Sequence, residues 1–235
     1  MAPDILTDKL AVVTGGSRGI GLHIARALSD AQARVIITGR NESTLSDAAA
    51  DLGSRCRPIV CDQRSPGAIQ EMARNVCKNE GWPDILVNNA GMFKGGFVKD
   101  MPADAWNEVV ETNLTGVFLT TQAFLPGMID RDRGDVFMIS SMSGKKGDAG
   151  AAAYAASKFG LQGFSQALNY EVRKHNIRIM VLNPSSVETG AEEGPKFGRG
   201  LHLHAADIAA TVVHLACLPG RTLIRDMDIW GTNPG

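Results

Sequence analysis

The chain lacks an excess of charge of either sign, a cysteine framework and any long apolar run. Each absence removes a class of protein. Its 24 Lys and Arg residues stand against 25 Asp and Glu, a formal net charge of −1. No nucleic-acid partner is expected, because a phosphate backbone is met by a basic surface. The four cysteines, Cys56, Cys61, Cys77 and Cys217, form no C-x-x-C pair. Four in this length make no disulfide scaffold, which predicts reduced thiols and a cytoplasmic protein. No stretch reaches the ~18 uninterrupted apolar residues of a transmembrane helix, so no membrane span is expected. Residues Met1 to Lys9 carry Asp4 and Asp8 and no apolar core, which argues against a signal peptide. His202 and His204 form an H-x-H without cysteine or carboxylate at ligand spacing, so no metal site is expected. Aromatics are also scarce, and only two are tyrosines, Tyr154 and Tyr170.

What is present is an ordinary globular composition, 44% hydrophobic and 21% charged over 235 residues. That length fits one domain, 1–235. Short β-branched runs alternate with longer helical stretches. The runs are Leu10 to Thr14, Arg34 to Thr38, Arg57 to Cys61, Asp84 to Asn88, Asp135 to Ser140, Ile177 to Leu182 and Met227 to Trp230. They read as continuous apolar strands rather than alternating ones, as a parallel sheet covered on both faces requires. The expectation is an α/β fold: a Rossmann-type doubly wound parallel sheet of about seven strands, order 3-2-1-4-5-6-7. Asn41 is a plausible N-cap. Long helices are expected over Pro102 to Met128 and Gly150 to His175, and a lid loop over 185–204.

The first strand runs into Thr14-Gly15-Gly16-Ser17-Arg18-Gly19-Ile20-Gly21, and a helix follows. Gly15 suits a tight turn off the strand, Gly19 a close approach to a pyrophosphate, and Gly21 close helix–sheet packing. The first helical turn then offers free N–H groups to an anion. At the end of the second strand stands Thr38-Gly39-Arg40, with no acid to accept a ribose 2′-hydroxyl. Arg40 and Arg18 fit a 2′-phosphate instead, which predicts NADP(H) over NAD(H).

Tyr154 and Lys158 lie at i and i+4, one turn apart on one helix face. A cation beside a phenol lowers its pKa and suits it to acid–base work near neutrality. Ser141, upstream at the end of the fifth strand, has a hydroxyl that can hold a substrate oxygen. Ser140 and Ser143 compete for that role, and neighbours along a strand point to opposite faces.

These motifs resemble the short-chain dehydrogenase/reductase family over essentially the whole chain. The resemblance rests on the glycine turn Thr14 to Gly21, Asp62, Asn88-Asn89-Ala90-Gly91, Asn113, Ser141, Tyr154, Lys158 and Asn183-Pro184. It implies that Tyr154 is the acid/base, Ser141 the oxygen clamp, and Lys158 both the modulator of the phenol and the ribose holder. Asn113 would support a water that resupplies protons. It further implies cofactor contacts from Gly15, Ser17, Arg18, Gly19, Ile20, Gly21 and Arg40, and from Asp62 and Gln63. Asn89, Ala90, Gly91, Pro184, Val187 and Thr189 would complete them, the last three at the nicotinamide end. The chain departs from the family in having Ser185 after Asn183-Pro184, where glycine is usual. It also lacks the Gly-Gly tail common in acyl-carrier-protein ketoreductases.

Met92, Phe93 and Phe97 line an apolar pocket or pack in the core. Lys145-Lys146 read as an exposed charged loop near the cleft mouth. The two long helices are apolar on more than one side, and Gly160, Gly163 and Ala167 permit close approach, which predicts a homodimer or homotetramer. The function expected is NADP(H)-dependent reduction of a small-molecule ketone or aldehyde, or oxidation of the alcohol. An acyl thioester on a carrier protein is one version of the substrate. A non-catalytic dinucleotide-binding regulator is the rival.

Overall fold

Alternate side chains of the central strands feed two separate apolar layers. The computed structural model describes residues 6–188 and 203–232. Its β1 (Leu10–Thr14) sends Ala11 and Val13 to one layer and Leu10 and Val12 to the other. Neither face of this strand meets water, which is why its sequence is uninterrupted rather than alternating. β2 (Arg34–Gly39), β3 (Cys56–Val60), β4 (Ile85–Asn88), β5 (Gly134–Ile139), β6 (Ile177–Pro184) and β7 (Asp226–Ile229) complete the sheet. All pairings are parallel, and the order β3-β2-β1-β4-β5-β6-β7 is the one expected. The edge strands β3 and β7 are partly exposed. Pro58 is tolerated at such an edge, where a missing N–H costs no ladder bond on the open side.

The helices are α1 (Gly19–Asp30), α2 (Glu42–Leu52), α3 (Pro66–Asn79), α4 (Ala103–Val110), α5 (Gly116–Asp130), α6 (Ala152–Val172) and α7 (Ala205–Ala216). Ile24, Leu28, Leu45, Val212 and Leu215 bring α1, α2 and α7 onto one face. Ile69, Val76, Phe124, Met128, Leu161 and Leu168 bring α3, α5 and α6 onto the other. Asn41 caps α2 as expected, its side chain accepting from Thr44 N at 3.0 Å.

One expectation needs correction. The helix read as continuous over Pro102 to Met128 is interrupted by a π turn at Glu111–Thr115. Gly116 lies so close to Gln63 that a Cβ would stand 2.2 Å from its carbonyl oxygen. The extra residue of the π turn swings Asn113 into the interior, where it is 1% exposed. In the segment read as a lid loop, 185–204, Val187–Glu188 pairs in parallel with Leu203–His204. Residues 189–202, Thr189 among them, lie outside the described residues.

The far end of the sheet is held by Arg178, whose guanidinium pairs both oxygens of Asp135 at 2.6 Å. It also donates to the carbonyls of Ala216, Leu218 and Thr222. Both side chains are largely buried, so truncation at Arg178 strands a carboxylate away from water. Arg178→Ala is expected to destabilise the fold by roughly 3–5 kcal/mol, as removal of one partner of a buried pair does. Urea denaturation followed by circular dichroism checks this. A change below about 1 kcal/mol would mean that the pair is solvated, as surface pairs are.

Candidate active site

The carboxyl ends of β1, β2, β4 and β5 and the turns that follow them form one groove of about 790 Å³. That lies within the ~300–1,000 Å³ typical of small-molecule sites. Its position beside β1 and β4, where the strand order reverses, is where doubly wound sheets bind ligands.

One end is built by the glycine turn. Gly15 takes φ +65°, and a Cβ on Gly21 would stand 2.3 Å from Gly15 O. Only glycine allows the turn to fold back onto the start of α1. Arg18 is the N-cap of α1 but makes no side-chain cap hydrogen bond, and the first helical turn carries no acid. Its amides and the positive end of the helix are therefore left to a ligand anion. Ser17, Arg18, Gly19 and Ile20 line this end with Gly39 and Arg40. These donors and the side-chain-free cradle fit the phosphates of a dinucleotide.

Asp62, Gln63, Asn89, Ala90 and Gly91 line the groove, but two of their side chains are engaged elsewhere. Asn89 Nδ2 donates to Thr14 O at 2.9 Å and to Gly15 O at 3.1 Å, so it pins the turn. Gln63 Nε2 donates to Thr120 Oγ1 on α5. Asp62 is held by Arg64, which also pairs with Glu108, and Glu108 pairs with Lys94. Burial opposes ionisation of Asp62, yet the hydrogen bonds and charge of Arg64, with Arg40 beyond, leave its pKa below the usual carboxylate range. The sequence reading missed this ion-pair chain. Its members come from three separate segments, and no local pattern announces it.

At the other end, α6 presents Tyr154 and Lys158 to the groove. Lys158 is buried; its Nζ donates to Ile139 O at 2.8 Å and lies 5.6 Å from the centre of the Tyr154 ring. Burial lowers its pKa to about 8. Tyr154 shares a side-chain hydrogen bond with Ser141, which lowers its pKa, but burial acts more strongly and holds the phenol above its ordinary value of 10.0. The lowering expected from the neighbouring lysine is not among the effects that the protein's own groups exert on this phenol. The ammonium is itself desolvated and turned to a strand carbonyl, and among the protein's own groups the phenol keeps its proton at neutral pH.

Of the three serines, Ser141 reaches Tyr154, and its Oγ also accepts from Ser143 N at 3.1 Å. Ser140 is buried, lies 3.4 Å from Gln162 Nε2 and lines the groove, whereas Ser141 is not among the lining residues. Asn113 does not line the groove. Its amide donates to Met92 O and Ser157 Oγ and accepts from Met92 N at 2.8 Å, which ties the segment after Gly91 to α6. Pro184 is buried at the end of β6 and Val187 is half-buried; neither lines the groove. Phe93 does line it. Its ring meets the Tyr154 ring edge-on at 5.4 Å and is 61% exposed.

Comparison with known proteins agrees with this architecture. The family model for short chain dehydrogenases matches residues 9–195. The chain belongs to the short-chain dehydrogenase family. It is 30% identical over 222 residues to an uncharacterised oxidoreductase of Staphylococcus epidermidis, covering 94% of this chain and 96% of that one. It is 38% identical over 181 residues to the 3-oxoacyl-(acyl-carrier-protein) reductase FabG of Salmonella typhimurium, covering 77% and 74%. A metagenomic short-chain oxidoreductase solved in complex with NADP superposes with a TM-score of 0.87 at 34% identity, covering 97% and 99%. The protein is an oxidoreductase of this family. Among the described residues no helix is long and apolar enough to cross a membrane.

Proposed function

We propose that the protein is an NADP(H)-dependent reductase of a small ketone or aldehyde, working in reverse on the alcohol. The observation that carries this is Tyr154 at one end of the groove, hydrogen-bonded to Ser141 behind it, with Arg18 and Arg40 at the other end and no acid at the end of β2. A bound nicotinamide dinucleotide supplies the hydride. Tyr154 gives its hydroxyl proton to the carbonyl oxygen, and the Ser141 hydroxyl donates a hydrogen bond to the same oxygen and locates it. Lys158 has three donors and uses one on Ile139 O, leaving others for a ribose. Arg18 and Arg40 hold a 2′-phosphate.

A 3-oxoacyl thioester is the second substrate reading, favoured by the likeness to the FabG reductase. Phe93 makes the wall beside Tyr154 apolar and suits either an acyl chain or a simple ketone. The free cysteines suit the cytoplasm. A homodimer or homotetramer forms through α5 and α6, where Phe118, Phe159 and Gly163 face outward. Gly160, read as part of that surface, instead packs on Leu114 within the chain.

Loss of nicotinamide absorbance on a panel of ketones and 3-oxoacyl thioesters tests the reading. NADPH-dependent turnover of at least one carbonyl is expected. NADPH binding with no turnover on any of them would favour a dinucleotide-binding regulator.

A further inference from the structure

We propose that Lys145, clamped between Asp226 and Asp228, is a positioning residue that fixes the turn carrying Ser141. The inference rests on the reading of Ser141 as the oxygen clamp. Lys145 Nζ lies 2.8 Å from Asp226 Oδ2 and 2.5 Å from Asp228 Oδ1. The two carboxylates are at i and i+2 of β7, so they stand on one side of that strand. Lys145 closes the short turn that follows Ser141: Ser143 N donates to Ser141 Oγ at 3.1 Å, Gly144 N to Ser141 O at 2.8 Å, and Lys145 N to Met142 O at 2.9 Å. On its inner side the turn rests on α6, where a Cβ on Gly144 would be 3.0 Å from the carbonyl oxygen of Lys158. On its outer side Lys145 ties it to the edge strand.

A second arm runs parallel to the first. Asn183 Nδ2 donates to both Asp226 and Asp228, and Asn183 Oδ1 accepts from Gln162 Nε2 at 2.5 Å. Gln162 also reaches Ser140 Oγ, the residue next to Ser141. The same two carboxylates thus hold the Ser140–Ser141 segment from outside through an ammonium and from inside through two amides.

Two other roles for Lys145 fit less well. The ion pairs are 32–43% exposed, so they add little to global stability, and β7 is already held by its ladder with β6. The ammonium sits between two carboxylates and the trio is net negative, so it does not attract an acidic substrate. What remains is local order beside a reacting centre, where a displacement of about 1 Å costs up to ~100-fold in rate.

The test uses Lys145→Met, the double variant Asp226→Asn/Asp228→Asn, the triple variant, and Lys145→Arg. Asparagine keeps an acceptor for Asn183 and removes only the charge. Lys145→Met and the double variant are each expected to lower kcat by roughly tenfold, with the Kd for NADPH unchanged. The triple variant is expected to be no slower than either, and Lys145→Arg to recover most of the rate. Amides 142–146 are expected to exchange faster in Lys145→Met, read by mass spectrometry. Unchanged kcat and exchange would overturn the proposal, as would losses that multiply in the triple variant. A raised KM for carboxylate substrates at unchanged kcat would instead make Lys145 a substrate contact and also overturn it. If the wild-type protein reduces no carbonyl, the function reading fails on its own. Amide exchange then decides the clamp: faster exchange upholds it, unchanged exchange ends it.

Discussion

Tyr154→Phe is expected to lower kcat for carbonyl reduction by ~10²–10⁴-fold, the usual worth of a positioned general acid. The ring stays where it is, because its contact with Phe93 uses the ring edge and face rather than the hydroxyl. Ser141 loses one partner but keeps the bond from Ser143 N, so the oxygen clamp survives. Folding stability is expected to change by no more than about 1.5 kcal/mol, the net worth of one hydrogen bond. Steady-state kinetics with a carbonyl found in the panel, together with a fluorescence titration of NADPH, separates the lost proton from any lost binding. A variant within threefold of wild-type kcat would remove Tyr154 from the chemistry.

Arg18→Ala/Arg40→Ala is expected to raise the KM for NADPH by ~10²–10³-fold and to leave NADH almost unaffected. Each guanidinium–phosphate contact is charge-assisted, worth about 1.5–3 kcal/mol, or roughly 10–100-fold. Both arginines are exposed, so neither change disturbs the core. The effect is enlarged by what remains. Arg40 is close enough to Asp62 and Glu108 to help hold both carboxyls below their ordinary pKa. Without it, the groove keeps acidic neighbours that repel a phosphate dianion. The ratio of kcat/KM for the two cofactors, compared between wild type and variant, is the measurement. An unchanged ratio would mean that the two guanidiniums serve solvent or adenine instead.

These two predictions differ in how much of their basis was legible in the sequence. The glycine turn was legible because its physics is local: a positive φ at Gly15 and an excluded Cβ at Gly21 act within a few residues of each other. The strands were legible because burial on both faces leaves unbroken apolar runs. The pairing of Tyr154 with Lys158 was legible as spacing, but its electrostatics was not. Lys158 Nζ is drawn to Ile139 O on β5, and burial outweighs the hydrogen bond from Ser141; both depend on packing that helical periodicity does not encode. The π turn was hidden for a similar reason, since it goes with the contact of Gly116 with Gln63 in the turn after β3. The clamp on Lys145 joins residues 83 positions apart, and an adjacent lysine pair reads as a solvated loop until the edge strand is seen beside it.

On the proposed function, the protein holds the Tyr154 phenol as a protonated donor at neutral pH. The direct test is the pH dependence of kcat/KM for carbonyl reduction with saturating NADPH. A plateau is expected across the neutral range, falling only as pH rises past the elevated phenol pKa, with no such fall in the residual rate of Tyr154→Phe. Lys158 titrates near 8, so any inflection there is assigned with Lys158→Met. A reduction rate that climbs with pH through the neutral range would contradict the account, because a proton donor does not improve as its proton is removed.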